Sequence, residues 1–163
     1  MYSFYCWYIK PHICCGYFYV ELCPAGFYAF DDKCLLNPVA LRTHSDTIVS
    51  CSDIGARLAK LDGPSKTFMA KRLIEFSNAT SSGIWIGLSD SVKEGTWLWQ
   101  DGNQTRNYTQ WLPGQPKTGS AGEAADCVVM KKSGDKFGWE NVDCSIRAYA
   151  MCEKGNLPLK SKT

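Results

Sequence analysis

The spacing of apolar and polar positions divides the chain into distinct textures. Residues 1–22 are apolar and aromatic, with Lys10-Pro11-His12 breaking the run before it resumes from Ile13 to Val20. From Cys23 onward the pattern is that of a folded domain. Cys23 to Cys34 alternates aromatics around a Pro-Gly turn and an Asp31-Asp32 turn, which predicts a small β-hairpin closed by a disulfide. Over 46–61, Ile48, Cys51, Ile54, Gly55, Leu58 and Leu61 recur at three and four residues, predicting one helix with a single apolar face. Asp62-Gly63-Pro64 ends it, and Pro64 suits the first turn of a second helix on which Met69, Leu73 and Phe76 share a face.

Beyond the polar stretch 77–83 the pattern turns to short strands. They are expected at 84–88, 96–99, 127–130, 137–139 and 148–152, with a long Gly-, Pro- and Ala-rich loop between Leu112 and Asp126. Helices followed by several short strands predict an α+β fold rather than a parallel βαβ sheet. The expected division is a leader over 1–22, one domain over 23–153, and a basic, flexible tail over 154–163.

Composition narrows the function. The 163 residues are 45% apolar, so one domain with a real core is affordable in surface terms. Lys+Arg 18 against Asp+Glu 16 leaves a net charge of +2, which argues against nucleic acid as a partner, because that mode needs a concentrated basic stripe. The 9 cysteines form no CxxC pair, and neither His12 nor His44 stands at ligand spacing, so structural zinc is not expected. The cysteines and three sequons, at Asn78, Asn103 and Asn107, point to a secreted, extracellular glycoprotein. The leader is too interrupted for a good membrane span and has no clear cleavage site. It is open between a signal, an anchor and a precursor fragment.

No catalytic pattern is present: the chain has no Gly-x-Ser-x-Gly elbow, P-loop, dinucleotide glycine pattern or His-Glu-x-x-His, and it is not expected to be an enzyme. His44, at the start of the first helix, reads as exposed or capping. The ordered series is more specific. It comprises Cys23 and Cys34; Cys51 followed by Gly55-Ala56-Arg57-Leu58-Ala59; Trp85-Ile86-Gly87-Leu88; Glu94 to Gly102; and finally Cys127, Trp139, Cys144 and Cys152. Over residues 23–153 this series resembles the C-type lectin-like domain in its long form, with an N-terminal disulfide hairpin. The family often holds Trp and Ala where this chain has His44 and Thr47.

The resemblance implies two helices flanking antiparallel sheets, a long irregular loop region, and the pairs Cys23–Cys34, Cys51–Cys152 and Cys127–Cys144. It leaves Cys6, Cys14 and Cys15 to the leader. It also implies a place to look for ligand. Lectins of this family hold a sugar through calcium bound by a Glu-Pro-Asn or Gln-Pro-Asp triplet, a Glu before the third-last cysteine and an Asn-Asp pair after a Trp. Calcium takes about six to eight oxygens. Here the matching residues are Gln115-Pro116-Lys117, Ala125, and Trp139-Glu140-Asn141. Lys117 brings donors and a positive charge in place of an oxygen ligand, and Ala125 brings none. The candidate ligand-binding set is Gln115, Lys117, Glu123, Asp126, Glu140 and Asn141, with Lys117 placed to pair with Glu140 where the ion would sit. Asp90, Glu94 and Asp126 are the candidate ligands of an auxiliary calcium.

No cofactor is required on this reading, and calcium is an open option. The expected function is extracellular recognition of a glycan or glycoprotein surface through the 112–143 loops. The alternative is a calcium-independent protein-binding or structural domain, and either could form a disulfide-linked or non-covalent homo-oligomer. A third option is polyanion binding by Lys117, Lys131, Lys132 and Lys136.

Overall fold

The computed structural model describes residues 23–36 apart from 31–32, and 40–155 apart from 78, 80, 106 and 119–123. The expected leader, the Asp31-Asp32 turn, Asn78 and Glu123 lie outside the described residues.

Among the described residues, nine strands form two sheets, accompanied by two helices. β1 (Tyr28–Phe30) and β2 (Lys33–Leu36) make the N-terminal hairpin, and β2 continues onto β9 (Cys152–Lys154), which also pairs β3 (Arg57–Leu58). The order β1-β2-β9-β3 thus brings the two ends of the domain side by side. The second sheet runs β5 (Leu98–Trp99), β4 (Ile84–Ser89), β6 (Cys127–Ser133), β7 (Lys136–Val142), all antiparallel. β8 (Tyr149–Ala150) adds one parallel pairing to β4. The three disulfides join the pairs that the resemblance implies.

Helix α1 (His44–Asp53) is capped by Thr43, whose Oγ1 accepts from the Asp46 N–H at 3.3 Å. The predicted helix over 46–61 is therefore too long. Gly55 adopts φ +66°, a left-handed conformation that glycine takes without penalty, and the chain leaves the helix there to pair residues 57–58 with β9. Helix α2 (Pro64–Phe76) begins at the expected proline. Its buried positions are Thr67, Ala70 and Ile74, while Phe76 is 76% exposed, so the apolar face is rotated from the one predicted. The expected strand at 148–152 is two strands, β8 and β9, lying in different sheets. Lys154, first residue of the expected tail, is the last of β9.

One core lies between α2 and the second sheet, around Leu61, Ile74, Ile86, Leu88, Met130 and Met151. Trp97, Trp99 and Trp139 belong to it, whereas Trp85 packs with the Cys51–Cys152 disulfide in an adjoining cluster. Glu153 is buried at 1% exposure, and its carboxylate meets Arg57 at 3.1 Å and Lys66 at 3.8 Å. The buried charge is compensated by cations from β3 and α2, both far from Glu153 in the chain.

Candidate functional site

The loop that follows Trp111 is fixed against β7 by backbone groups. Leu112 N–H donates to the Trp139 carbonyl at 2.9 Å, and Trp139 N–H donates to the Gln110 carbonyl at 2.7 Å. A Cβ at Gly138 would lie 2.7 Å from the Gln110 oxygen, so only glycine admits this approach. β7 then presents Glu140 and Asn141 to the segment carrying Gln115 and Lys117. The Gln115-Pro116 peptide is cis.

Asn141 is 1% exposed, and both ends of its amide are used. Its Oδ1 accepts from the Lys117 backbone N–H at 2.7 Å, and its Nδ2 donates to the Lys117 carbonyl at 3.1 Å. The Lys117 ammonium stands 3.7 Å from Glu140 Oε1, and the Lys131 ammonium stands 2.8 Å from Oε2. One carboxylate is thus bracketed by two cations. In the sequence Lys131 stands only among the cations of the polyanion-binding option, with Lys117, Lys132 and Lys136. The β6–β7 register, with Val129 opposite Glu140 and Lys131 opposite Gly138, is what sets it diagonally across from Glu140.

Beside these residues is a hollow of about 350 Å³ lined by Lys117, Ala124, Ala125, Asn141, Val142, Asp143 and Ile146. Its lining is apolar at Ala124, Ala125, Val142 and Ile146 and polar at Lys117, Asn141 and Asp143. Oxygen donors for a cation are scarce here. The Asn141 amide is committed to backbone, Ala125 offers none, and an ammonium already faces Glu140. Gln115 Oε1 is buried without a hydrogen-bond partner among the described residues, but one amide oxygen does not make a calcium site. The residues present do not fit calcium at this position.

The acidic candidates behave differently. Asp90, Glu94 and Asp126 bring carboxylate oxygens within 4.8 Å of one another, so Asp126 converges with the Asp90 group. Asp90 is 3% exposed; its Oδ2 accepts from Gly95 N–H at 2.9 Å, while its Oδ1 is buried with no hydrogen-bond partner among the described residues. Burial pushes the Asp90 carboxyl above the usual carboxylate range, the Gly95 N–H opposes this, and the charge of Asp126 adds to it. Backbone geometry holds the group together, since Asp90 N–H donates to the Asp126 carbonyl at 3.1 Å. An orphaned, buried carboxylate oxygen among three carboxylates suits a hard divalent cation such as calcium.

His44 departs from expectation. Rather than being exposed or capping α1, it packs edge-on against Trp85 at 5.2 Å, with its Nε2 buried and unpartnered among the described residues. Its imidazole lies near both sulfurs of Cys127–Cys144, which as a disulfide offers no thiolate to a metal. Burial lowers its pKa to about 4. Of the sequon asparagines, Asn103 and Asn107 are exposed. Among the described residues no helix is long and apolar enough to cross a membrane.

Comparisons with known proteins place these features in context. The chain is 33% identical over 141 residues to salivary C-type lectin 2 of Aedes albopictus, covering 79% of this chain and 91% of that protein. It is 29% identical over 140 residues to perlucin of Haliotis laevigata, covering 83% and 85% respectively. Other relatives are longer: the chain spans 38% of the mouse low affinity immunoglobulin epsilon Fc receptor, at 32% identity over 82% of its own length. Among solved structures, the cow C-type carbohydrate-recognition domain of CD23, crystallised in the presence of GlcNAc2Man3 oligosaccharide, matches with TM-score 0.70. That match has 28% identity and covers 83% of this chain and 98% of that one. The family model for the lectin C-type domain matches residues 42–154, and the chain therefore belongs to the C-type lectin domain family.

Proposed function

We propose that this chain is an extracellular recognition domain that engages a glycoconjugate surface through the hollow beside Lys117 and Asn141, without a calcium bridge at that position. The observation that carries the reading is the Asn141 amide bound to both backbone groups of Lys117, with the Lys117 ammonium facing Glu140. The loop is shaped by its own hydrogen bonds, and the apolar walls suit the C–H face of a sugar ring. Chromatography on immobilised glycoconjugates tests this. Retention is expected to survive chelator, and Ile146→Asp, at a residue 39% exposed on the hollow, is expected to weaken it about tenfold or more with an unchanged melting temperature. Retention lost in chelator, or unaltered in Ile146→Asp, defeats the reading.

A second reading, a protein partner, is favoured by the same apolar lining of Ala124, Ala125, Val142 and Ile146, which would also take a partner's side chain. Enzymatic removal of glycans from the bound surface separates the two, since only the glycan mode is abolished.

Calcium, on this reading, has a structural place at Asp90, Glu94 and Asp126. When bound it would supply charge neutralisation to carboxylates that repel one another. Asp90→Asn, which keeps the acceptor for Gly95, is expected to raise the melting temperature in chelator by a few degrees, because it removes a buried negative charge beside Asp126. It is also expected to abolish any rise in melting temperature on adding calcium. A variant that melts below the parent in chelator would count against this account of Asp90.

A further inference from the structure

A second groove lies apart from the Lys117 hollow, between α2, the 110–113 segment and the tip of the β6–β7 hairpin. It measures about 480 Å³ and is lined by Lys71, Gln110, Trp111, Leu112, Pro113, Asp135, Lys136 and Phe137. That volume is in the range of about 300–1,000 Å³ typical of small-molecule sites. Its aromatic wall is rigid. Trp111 is held edge-on by Trp97 at 4.8 Å and by Trp139 at 5.6 Å, so the part of its ring facing the groove is fixed. Phe137, the second ring, has the Lys132 ammonium 5.6 Å from its centroid.

The polar groups of the groove divide into committed and uncommitted ones. Gln110 is committed: its Oε1 accepts from Tyr108 and its Nε2 donates to the Phe137 carbonyl. Pro113 has no N–H to offer. Lys71 and Lys136 are uncommitted, with no ion pair among the described residues, whereas Lys60, Lys66, Lys117 and Lys131 are each paired. Two free ammonium groups from different elements, one carboxylate at Asp135 and two aromatic rings therefore line one depression. With Lys132 at its edge the charge balance is positive.

We infer that this groove is a calcium-independent subsite for an acidic saccharide, a sugar unit bearing sulfate or carboxylate. The rings would take the apolar C–H face of the pyranose, Lys71 and Lys136 the anionic substituent, and Asp135 a sugar hydroxyl as donor. An acceptor carboxylate among the cations suits a hydroxyl-bearing anion and disfavours a bare polyanion. Nucleic acid is the poorer match, because the chain carries a net charge of only +2 and the cations are local rather than arrayed in a stripe. This site goes beyond the reading of the Lys117 hollow and uses none of its residues.

The test is calorimetric titration of the full chain in chelator with a heparin-derived tetrasaccharide, an oligogalacturonate and neutral maltohexaose, with inorganic polyphosphate as a fourth arm. The two acidic sugars distinguish sulfate from carboxylate, and at least one is expected to bind while maltohexaose does not. Lys71→Gln combined with Lys136→Gln is expected to reduce that affinity about tenfold at an unchanged melting temperature. Ile146→Asp, in the other hollow, is expected to leave it as in the parent, so that failure here and failure of the loop reading are told apart. Equal affinity of parent and double variant, no binding of either acidic sugar, or polyphosphate binding as tightly as the sugars overturns the inference.

Discussion

Replacing both Cys51 and Cys152 by Ala is expected to lower the melting temperature by about 10–20 °C, and Cys51→Ala alone to abolish recovery of folded protein. The bridge spans 101 residues and joins α1 to β9. Closing a loop of that length removes unfolded-chain freedom worth about 4.7 kcal/mol in the loop-entropy account. For a domain of this size, each kcal/mol moves the midpoint by about 2–4 °C. Both cysteines are 0% exposed, so the single variant also leaves a thiol buried against Trp85 and Leu58, free to mispair when the chain unfolds. The double variant separates loss of the link from that stray thiol. A double variant that melts within a degree or two of the parent would show that the bridge contributes little.

The second large effect is on acidification. His44 has a folded pKa of about 4 against an ordinary value of 6.5, because burial against Trp85 disfavours the imidazolium. Between those values the unfolded chain binds the proton more readily than the folded one. The contribution of His44 to stability is therefore complete above about pH 6.5 and is lost progressively as the pH falls to about 4, amounting to about 3 kcal/mol. The three other shifted groups do not imitate this, and Asp143, held below the usual carboxylate range by hydrogen bonds from Ser145, acts below the window. Asp90, raised, runs in the opposite direction as pH falls, and Asp101 is held at about 2. For Asp101, burial works against the shift, but Lys60 and Asn103 outweigh it, so its effect falls below the window. Denaturant unfolding of the parent and of His44→Phe at several pH values between 4 and 7 reads the difference directly. The two stability curves are expected to converge or cross as the pH falls, and curves that stay parallel sink the assignment.

Where local chemistry decides the outcome, the sequence was a sufficient guide. The Cys23–Cys34 hairpin, Pro64 at the start of α2 and the short strands around Trp85 and Trp139 follow from turn residues, proline geometry and apolar runs. The longer disulfide pairings came from resemblance, because spacing alone leaves many connectivities open. The misses share one cause. The helix expected to reach Leu61 stops before Gly55 because residues 57–58 pair with β9, a partner about a hundred residues away that no local periodicity reports. His44 is half-buried because Trp85 arrives over it from β4, and 148–152 divides because its halves meet different sheets.

The candidate site was legible in composition more than in arrangement. Lys117 and Glu140 could be named as a pair from their positions in the family pattern, yet Lys131 as Glu140's nearer partner depends on hairpin register. The commitment of the Asn141 amide to the backbone of Lys117 depends on two segments meeting across 24 residues. The three carboxylates of the Asp90 group were named, but Asp126 was also assigned to the ligand loops; the fold turns it toward Asp90 and Glu94.

The double hydrogen bond between Asn141 and Lys117 works like one extra rung of a β-ladder, supplied by a side chain instead of a neighbouring strand. A loop ordered by a bound ion can be switched off by diluting the ion, and its cargo then leaves quickly. A loop held by its own rung has no such release step. On the function proposed above, a ligand of this face would depart at its intrinsic dissociation rate, with capture and release governed by concentration and time rather than by calcium.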